Sequence, residues 1–347
     1  MISIILPIRN EAKYIKQILE SILYQRDIEQ EIEILIVDGM STDGTRDIII
    51  KYQKDHPNIH LIDNPEKIVS TGFNRALNES KGDIIIRVDG HCEIALDYIQ
   101  KCIEYLEKIN ADCVGGATEH VASGLVGKSI KMAQSSFFGV GGVSFRKKVE
   151  KGEYVDTLAF GAYKREVFDQ LGGYDEELVR NQDDEFNFRM IQNDGKIWLD
   201  PSIKSTYTQR NSFTGLFKQY FQYGFYKVRV AQKRRGIASW RHLVPGIFVL
   251  SLLIGFFLFI IKSDPYFLFL VGMPYLLFSL IFTLLEIFKS PKHVFSLTVL
   301  PLTFFILHFS YGLGFLLGLV YFWNKWNDTG LKDYHFNHEQ FLAGLSR

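Results

Sequence analysis

Asp83–His91 reads DIIIRVDGH: a buried-type run, Ile84–Val88, that stops at Asp89, Gly90 and His91. A run this apolar fits a strand covered on both faces, as in a parallel sheet. Upstream the same unit repeats. Ile2–Leu6 is a short strand bounded by Pro7, and Ile15, Ile18, Leu19, Ile22 and Leu23 recur at helical spacing. Glu33–Val37 is a second strand ended by Asp38 and Gly39, and Thr45–Asp55 a helix with Ile48 and Ile49 inward. A short strand at His60–Ile62, a helix over Val69–Ser80 and another over Leu96–Ile109 complete the rhythm. Such alternation implies an α/β domain with a mostly parallel sheet covered by helices. Ligands of these sheets bind beyond the carboxyl ends of the strands. That rule picks out Pro7–Glu11, Asp38–Thr45 and Asp89–His91, each polar or acidic where a strand stops. Residues 111–160 are Gly-rich and read only as an edge strand and loops.

Near residue 242 the chain changes solvent. Leu243–Ile261 carries no charge, Tyr266–Phe288 only Glu286, and Val294–Trp323 is long enough to tilt or to bend at Pro301. At about 1.5 Å per residue such stretches match a hydrocarbon core of about 30 Å. The expected organisation is therefore a catalytic domain over 1–212 and an amphipathic, basic interface segment over 213–241. A transmembrane region over 242–323 (spans 243–261, 266–288 and 294–323) and a tail over 324–347 follow. Lys227, Arg229, Lys233, Arg234, Arg235 and Arg241 precede the first span, whereas only Lys262 follows it. The positive-inside rule then predicts a multi-pass protein of the cytoplasmic membrane with residues 1–241 in the cytoplasm. Ile2–Ile8 is too short for a signal peptide and runs straight into Arg9, Asn10 and Glu11. Basic and acidic residues balance at 39 each, which gives no case for a nucleic-acid partner. Cys92, Cys102 and Cys113 read as reduced thiols.

Taken singly, the polar segments are ambiguous. Asp89 and His91, two residues apart at a strand end, suit a divalent cation that keeps positions open for phosphate oxygens, or a plain turn with Asp89 as a helix cap. Asp38 can accept hydrogen bonds from a base or ribose, or sit in a turn that starts the next helix. Gln182-Asp183-Asp184-Glu185 before a hydrophobic helix supplies a general base, or merely the acidic bias of a helix N-terminus. Ala122–Ser129, ASGLVGKS, fits a relaxed phosphate-loop pattern but lacks the buried strand that should precede it.

The ordered set is more specific. PIRNE at Pro7–Glu11, VDGMSTDGT at Val37–Thr45, KGDIIIRVDGH at Lys81–His91 and GGYDEELVRNQDDEFNFR at Gly172–Arg189 together resemble glycosyltransferase family 2, the large inverting GT-A family. The likeness runs over about residues 1–230 and is strongest to membrane-bound glucosyltransferases of succinoglycan-type exopolysaccharide assembly. It implies that Pro7, Arg9 and Glu11 line the nucleotide cleft and that Asp38 contacts base or ribose. Lys67, Asn74 and Asp89 join them on the nucleotide-sugar side. Asp89 and His91 would hold Mn²⁺ or Mg²⁺, with His91 standing where a second Asp is usual. Asp183 would be the catalytic base, supported on the acceptor side by Asp184, Glu185 and Arg210. Gly39 and Gln182 depart from the family pattern, where acids are common. The Gln-x-x-Arg-Trp signature of processive synthases is missing, since Gly236 follows Gln232 and Arg235.

The function so implied is inverting transfer of one sugar from a nucleotide-sugar, UDP-glucose by resemblance, to a polyprenyl-diphosphate-linked saccharide at the lipid bilayer. Phe213–Lys227, with Leu216, Phe217, Tyr220, Phe221 and Phe225 on one side, is expected at the headgroups or packed on the protein core. Arg210, Lys227, Arg229 and Arg234 could meet an acceptor diphosphate. Competing readings are a processive synthase, a silent membrane scaffold and a phosphate-loop ATPase.

Overall fold

The strand that opens the chain runs further than its Pro suggests. In the computed structural model, which describes residues 1–141, 150–158, 160–209, 211–236, 239–289 and 298–332, β1 spans Ile2–Ile8 and includes Pro7. It pairs in parallel with β2 (Ile32–Asp38) along its whole length, Pro7 opposite Val37. On its other side β4 (Ile84–Arg87) pairs only as far as Ile5. Pro7 therefore lies where that ladder has ended, and its missing N–H breaks little. β3 (Ile59–Asp63) adds beyond β2.

Between the strands lie α1 (Ile15–Leu23), α2 (Thr45–Asp55) and α3 (Val69–Glu79), followed after β4 by β5 (Cys92–Ile94) and α4 (Tyr98–Lys108). Alternation along β1 explains the solid apolar run. Ile2, Ile4, Leu6 and Ile8 enter one core with α1 and α4, whereas Ile5 enters another with Phe73 of α3. Cys92, Cys102 and Cys113 are buried free thiols.

Residues 111–160 hold more structure than their composition advertises. They supply β6 (Cys113–Gly115), β7 (Thr118–Val121), α5 (Gly124–Ser135), α6 (Phe137–Val140) and β8 (Glu153–Val155). Next come β9 (Ala162–Lys164), α7 (Arg165–Leu171), α8 (Gln182–Gln192), β10 (Ile197–Leu199) and β11 (Ser205–Thr208). The main sheet runs β3-β2-β1-β4-β9-β6-β10-β8. It is parallel through β4 and mixed after it, because β9 pairs antiparallel with both β4 and β6.

The chain divides into two compact units: Met1–Glu119 with Ser144–Thr208 and Gly330–Arg347, and His120–Val143 with Gln209–Thr329. His120–Val143 thus groups with the later apolar helices and not with the sheet. Those helices are α9 (Phe213–Lys233), α10 (Val244–Lys262), α11 (Tyr266–Lys289) and α12 (Leu300–Tyr321). Three are long and apolar enough to cross a membrane: Trp240–Lys262, Tyr266–Glu286 and Leu300–Tyr321. Phe256, Phe257, Ile260, Met273 and Leu277 stand exposed on the first two, as lipid-facing side chains would. Among the described residues the third begins at Leu300, and Pro301 sits in its first turn, where the lost N–H has no helical partner to lose. Residues 294–297 lie outside the described residues.

The stripe expected on Phe213–Lys227 is largely used inside its own unit. Leu216 and Tyr220 are buried with Leu300, Phe304 and Leu307. A Cβ on Gly224 would stand 2.0 Å from the Tyr311 carbonyl, so α9 and α12 cross backbone to backbone.

Candidate active site

Asp38 ends β2 fully buried. Its carboxylate accepts from the Ser41 N–H at 3.0 Å, from the Ser41 hydroxyl, and from Arg46 Nη1 at 2.7 Å. Arg46 also meets Asp63 Oδ1 at 2.8 Å. The acid expected to contact base or ribose is enclosed by its own loop and α2. Asn10, in the left-handed region at φ 57°, accepts from the Thr42 N–H at 2.9 Å and stitches the β1 end to this loop. Arg9 beside it is exposed, and Pro7 is buried within the strand.

The end of β4 is built differently. Arg87, a lone charge inside an apolar strand, is 3% exposed. Its Nε and Nη2 each lie 2.9 Å from Asp89 Oδ1, and its Nη1 donates to Tyr174 Oη at 3.2 Å. Burial works against the charge on Arg87, but Asp89, Tyr174 and Asp183 hold it cationic. Asp183 stands in the first turn of α8, half-buried, accepting from the Asp184 N–H at 2.9 Å. Burial pushes its carboxyl above the ordinary value of 3.8; Arg87 draws it back down, while Asp184 and Asp89 push it up. Segments far apart in the chain therefore set two carboxylates, Asp89 and Asp183, within electrostatic reach of one guanidinium.

His91 joins this end through Glu11. Glu11 Oε1 lies 3.1 Å from His91 Nδ1, and the ring packs between Tyr14 and Tyr207 at 5.2 and 6.0 Å. Gly90 permits this: a Cβ there would meet Glu11 Cγ at 2.9 Å. Among the described residues no three His, Cys, Asp or Glu side chains converge as a metal cage. The donor set nonetheless suits a divalent ion. Asp89 bonds Arg87 through Oδ1, a carboxylate orients the His91 imidazole, and a nucleotide diphosphate would complete the shell.

Other expected site residues are occupied elsewhere. Asn74, buried, donates to the Tyr174 carbonyl at 2.8 Å and to Glu176 Oε1 at 2.9 Å, and accepts from the Tyr174 N–H at 2.8 Å. It ties α3 to the 173–176 loop. Glu185 forms a two-pronged pair with Arg189 at 2.8 and 3.0 Å, and Arg189 donates to the Leu171 and Gly173 carbonyls. It braces α8. Lys67 is exposed, at φ 64°. Arg210 lies outside the described residues. Sequence reasoning missed Arg87 and Tyr174, although a charge inside a buried strand always needs a partner.

ASGLVGKS forms no phosphate cradle: Gly127, Lys128 and Ser129 are inside α5, and the Ser129 hydroxyl bonds Thr303 Oγ1 at 2.7 Å. Arg229 is likewise not presented to a ligand, being fully buried and donating to the Lys325 and Asp328 carbonyls at 3.1 and 2.7 Å.

Comparison with known proteins gives the family and the fold. The model for Glycosyl transferase family 2 matches residues 3–172. The succinoglycan biosynthesis protein ExoA of Rhizobium meliloti (strain 1021) is 31% identical over 244 residues, 70% of this chain and 73% of its own length. A Methanococcus voltae protein named dolichyl N-acetyl-alpha-D-glucosaminyl phosphate 3-beta-D-2,3-diacetamido-2,3-dideoxy-beta-D-glucuronosyltransferase is 29% identical over 329 residues, 92% of this chain and 97% of its own length. The crystal structure of S. aureus TarS 1-349 superposes with a TM-score of 0.50 at 17% identity, over 66% of this chain and 64% of that one, a likeness of fold alone.

Proposed function

Because the chain belongs to glycosyl transferase family 2, we propose that it moves a single sugar from a nucleotide-sugar, UDP-glucose first among candidates, to a polyprenyl-diphosphate-linked saccharide. The setting is exopolysaccharide or cell-surface glycan synthesis, with residues 1–241 on the cytoplasmic side of the membrane. The observation that carries the reading is the trio Asp89, Arg87 and Asp183.

Asp183 takes the proton from an acceptor hydroxyl as that oxygen attacks the anomeric carbon. The bond from that carbon to the nucleoside diphosphate breaks on the opposite face, so configuration inverts. A raised carboxyl pKa suits a base, because a stronger base accepts the proton more readily. Arg87 bonds Asp89 and draws the raised carboxyl of Asp183 back down. Asp89 and His91 would hold Mn²⁺ or Mg²⁺, whose charge offsets the diphosphate as it leaves. The lipid-linked acceptor draws support from the dolichyl phosphate in the name of the Methanococcus voltae relative and from three apolar helices on the same chain. Single addition draws support from Gln232, which is buried and donates to the Phe322 carbonyl at 2.7 Å.

Purified protein with Mn²⁺, a panel of nucleotide-sugars and a polyprenyl-diphosphate sugar tests this directly. One nucleoside diphosphate released per acceptor is expected. Long polymer formed from donor alone would favour a processive synthase, and no release from any donor would sink the reading.

A further inference from the structure

The chain leaves the sheet unit after Thr208 and belongs to it again from Gly330. The Glu176 N–H donates to the Lys332 carbonyl at 2.9 Å, and a Cβ on Gly172 would stand 3.0 Å from Leu331 Cδ2. A unit of loops and open sheet edges stays on one side of a bilayer, because lipid cannot satisfy its backbone. The crossings between Thr208 and Gly330 are therefore even in number. Three apolar helices that each crossed once would leave the chain on the wrong side.

The pairing of α9 with α12 picks out the helix that stays out. Leu216 and Tyr220 cluster with Leu300, Phe304 and Leu307. Further on, a Cβ on Gly318 would stand 2.6 Å from the Phe225 carbonyl, and at the far end Gln232 donates to the Phe322 carbonyl. The two helices thus run side by side in the same direction and share one depth. If α12 crossed, α9 would cross with it and take Lys218, Lys227 and Arg229 through hydrocarbon. Direction excludes this as well. Two parallel spans need an odd number of crossings between them, which makes the total odd again. Burial agrees: 50% of the apolar stretch of α12 is buried, against 17% and 11% for α10 and α11. What α12 leaves exposed is a stripe facing away from α9, with Leu302, Phe305, Leu317 and Val320 on it. One covered face and one bare apolar face suit a helix half-immersed in a leaflet. At 19 and 24 residues, α10 and α11 are long enough to cross.

We infer that, among the described helices, α10 and α11 alone cross the membrane, as one hairpin, and that α12 lies beside α9 in the near leaflet with its bare stripe against the acyl chains. Residues 298–332 then share the sheet unit's side of the membrane. The inference rests on the membrane setting proposed above. It lets the end of the chain reach the loop carrying Tyr174, whose phenol meets Arg87.

Full-length protein in sealed membrane vesicles of each orientation, labelled with a membrane-impermeant maleimide, provides the test. The native thiols Cys92, Cys102 and Cys113 are buried, so the unsubstituted protein sets the background. Lys51→Cys marks the sheet unit, Asp264→Cys the turn between α10 and α11, and Asn327→Cys the chain beyond α12; all three positions are exposed. Asn327→Cys should label from the same face as Lys51→Cys and be protected from the other, with Asp264→Cys showing the reverse. Asn327→Cys labelling together with Asp264→Cys would overturn the count. All three labelling from one face would mean that α10 and α11 do not cross, and would sink the inference along with the spanning hairpin. Depth is read separately from spin labels at Leu302→Cys, Leu313→Cys and Val320→Cys, by their collisions with oxygen and with a water-soluble nickel chelate. An α12 in the leaflet surface gives one depth at all three positions. A crossing α12 would set Leu313 on the order of 10–15 Å deeper than Leu302, and that gradient would refute the inference even where a maleimide fails to react. Neither readout depends on sugar transfer. A protein that transfers nothing but labels as expected keeps this topology and loses the proposed function.

Discussion

Two strands of one sheet, lying on either side of β1, both lead into Asp-Gly, and the acids there meet different fates. Asp38 is fully buried and its oxygens are taken by Ser41 and Arg46. Asp89 keeps a side chain 30% exposed, with one oxygen held by Arg87. The source of the arginine decides the outcome. Arg46, on α2, covers Asp38 and also meets Asp63, whereas Arg87, inside β4, supports Asp89 through one oxygen. We propose that the covered acid is architecture and the supported one available for chemistry.

The largest expected effect tests whether the supported end is the working one. Asp183→Asn should lower turnover on the order of 10²–10⁴-fold with little change in donor affinity, as for loss of a general base. Near-normal turnover would remove the β4 end from the reaction. Next comes the direct contrast between the two acids. Asp38→Asn should cost about 1–3 kcal/mol of stability, read from denaturant midpoints, because it weakens a buried charge-assisted network. Asp89→Asn should cost less stability, since Arg87 still faces Asp183, yet raise the Mn²⁺ needed for half-activation. Glu11→Gln should shift that requirement by about 10–100-fold if Glu11 orients His91 as a ligand. Reversal of the pattern, with Asp38 kinetic and Asp89 structural, would break the comparison.

Much of this was readable without coordinates, and the reasons are physical. The parallel half of the sheet is legible because its strands are buried on both faces and read as apolar runs. Pro7 ends its run in sequence but not in space, since the strand on that side stops first. Residues 111–160 defeat sequence reading because their strands are three or four residues long and pair in mixed directions, and α5 belongs to the other unit. Acids at strand ends and at Gln182–Glu185 are visible as candidates. Which of them work is not, because that depends on arginines placed by tertiary structure. Asp183 and Glu185 sit two residues apart; Arg189 occupies one and leaves the other.

The acidity of Asp183 gives a subtler test. Its folded pKa lies above 3.8, so as a base it should set an acid limb of kcat/KM above the ordinary carboxylate range. That limb should vanish in Asp183→Asn. The linked effect on stability has the opposite sign from that of a salt-bridged acid. The folded state binds this proton more tightly than the unfolded chain, so stability from this group falls as pH rises from 3.8 through the folded pKa. At neutral pH Asp183→Asn should therefore raise Tm. A lower Tm would mean that the carboxylate is a structural partner like Asp38.

The smallest effect belongs to the segment that most resembles a phosphate site on paper. A phosphate loop works because glycine backbone N–H groups point at the anion and a lysine follows at the mouth of a helix. In ASGLVGKS the helix has already begun at Gly124, so the N–H groups of Lys128 and Ser129 face back along the helix, and Ser129 is held by Thr303. Lys128 is half-buried on a regular helix, where Ala is the better helix former. Lys128→Ala should leave transfer within about twofold and stability within about 0.5 kcal/mol. A large loss of activity would show an anion site that the β4 end does not explain, and the contrast between covered and supported acids would no longer account for catalysis.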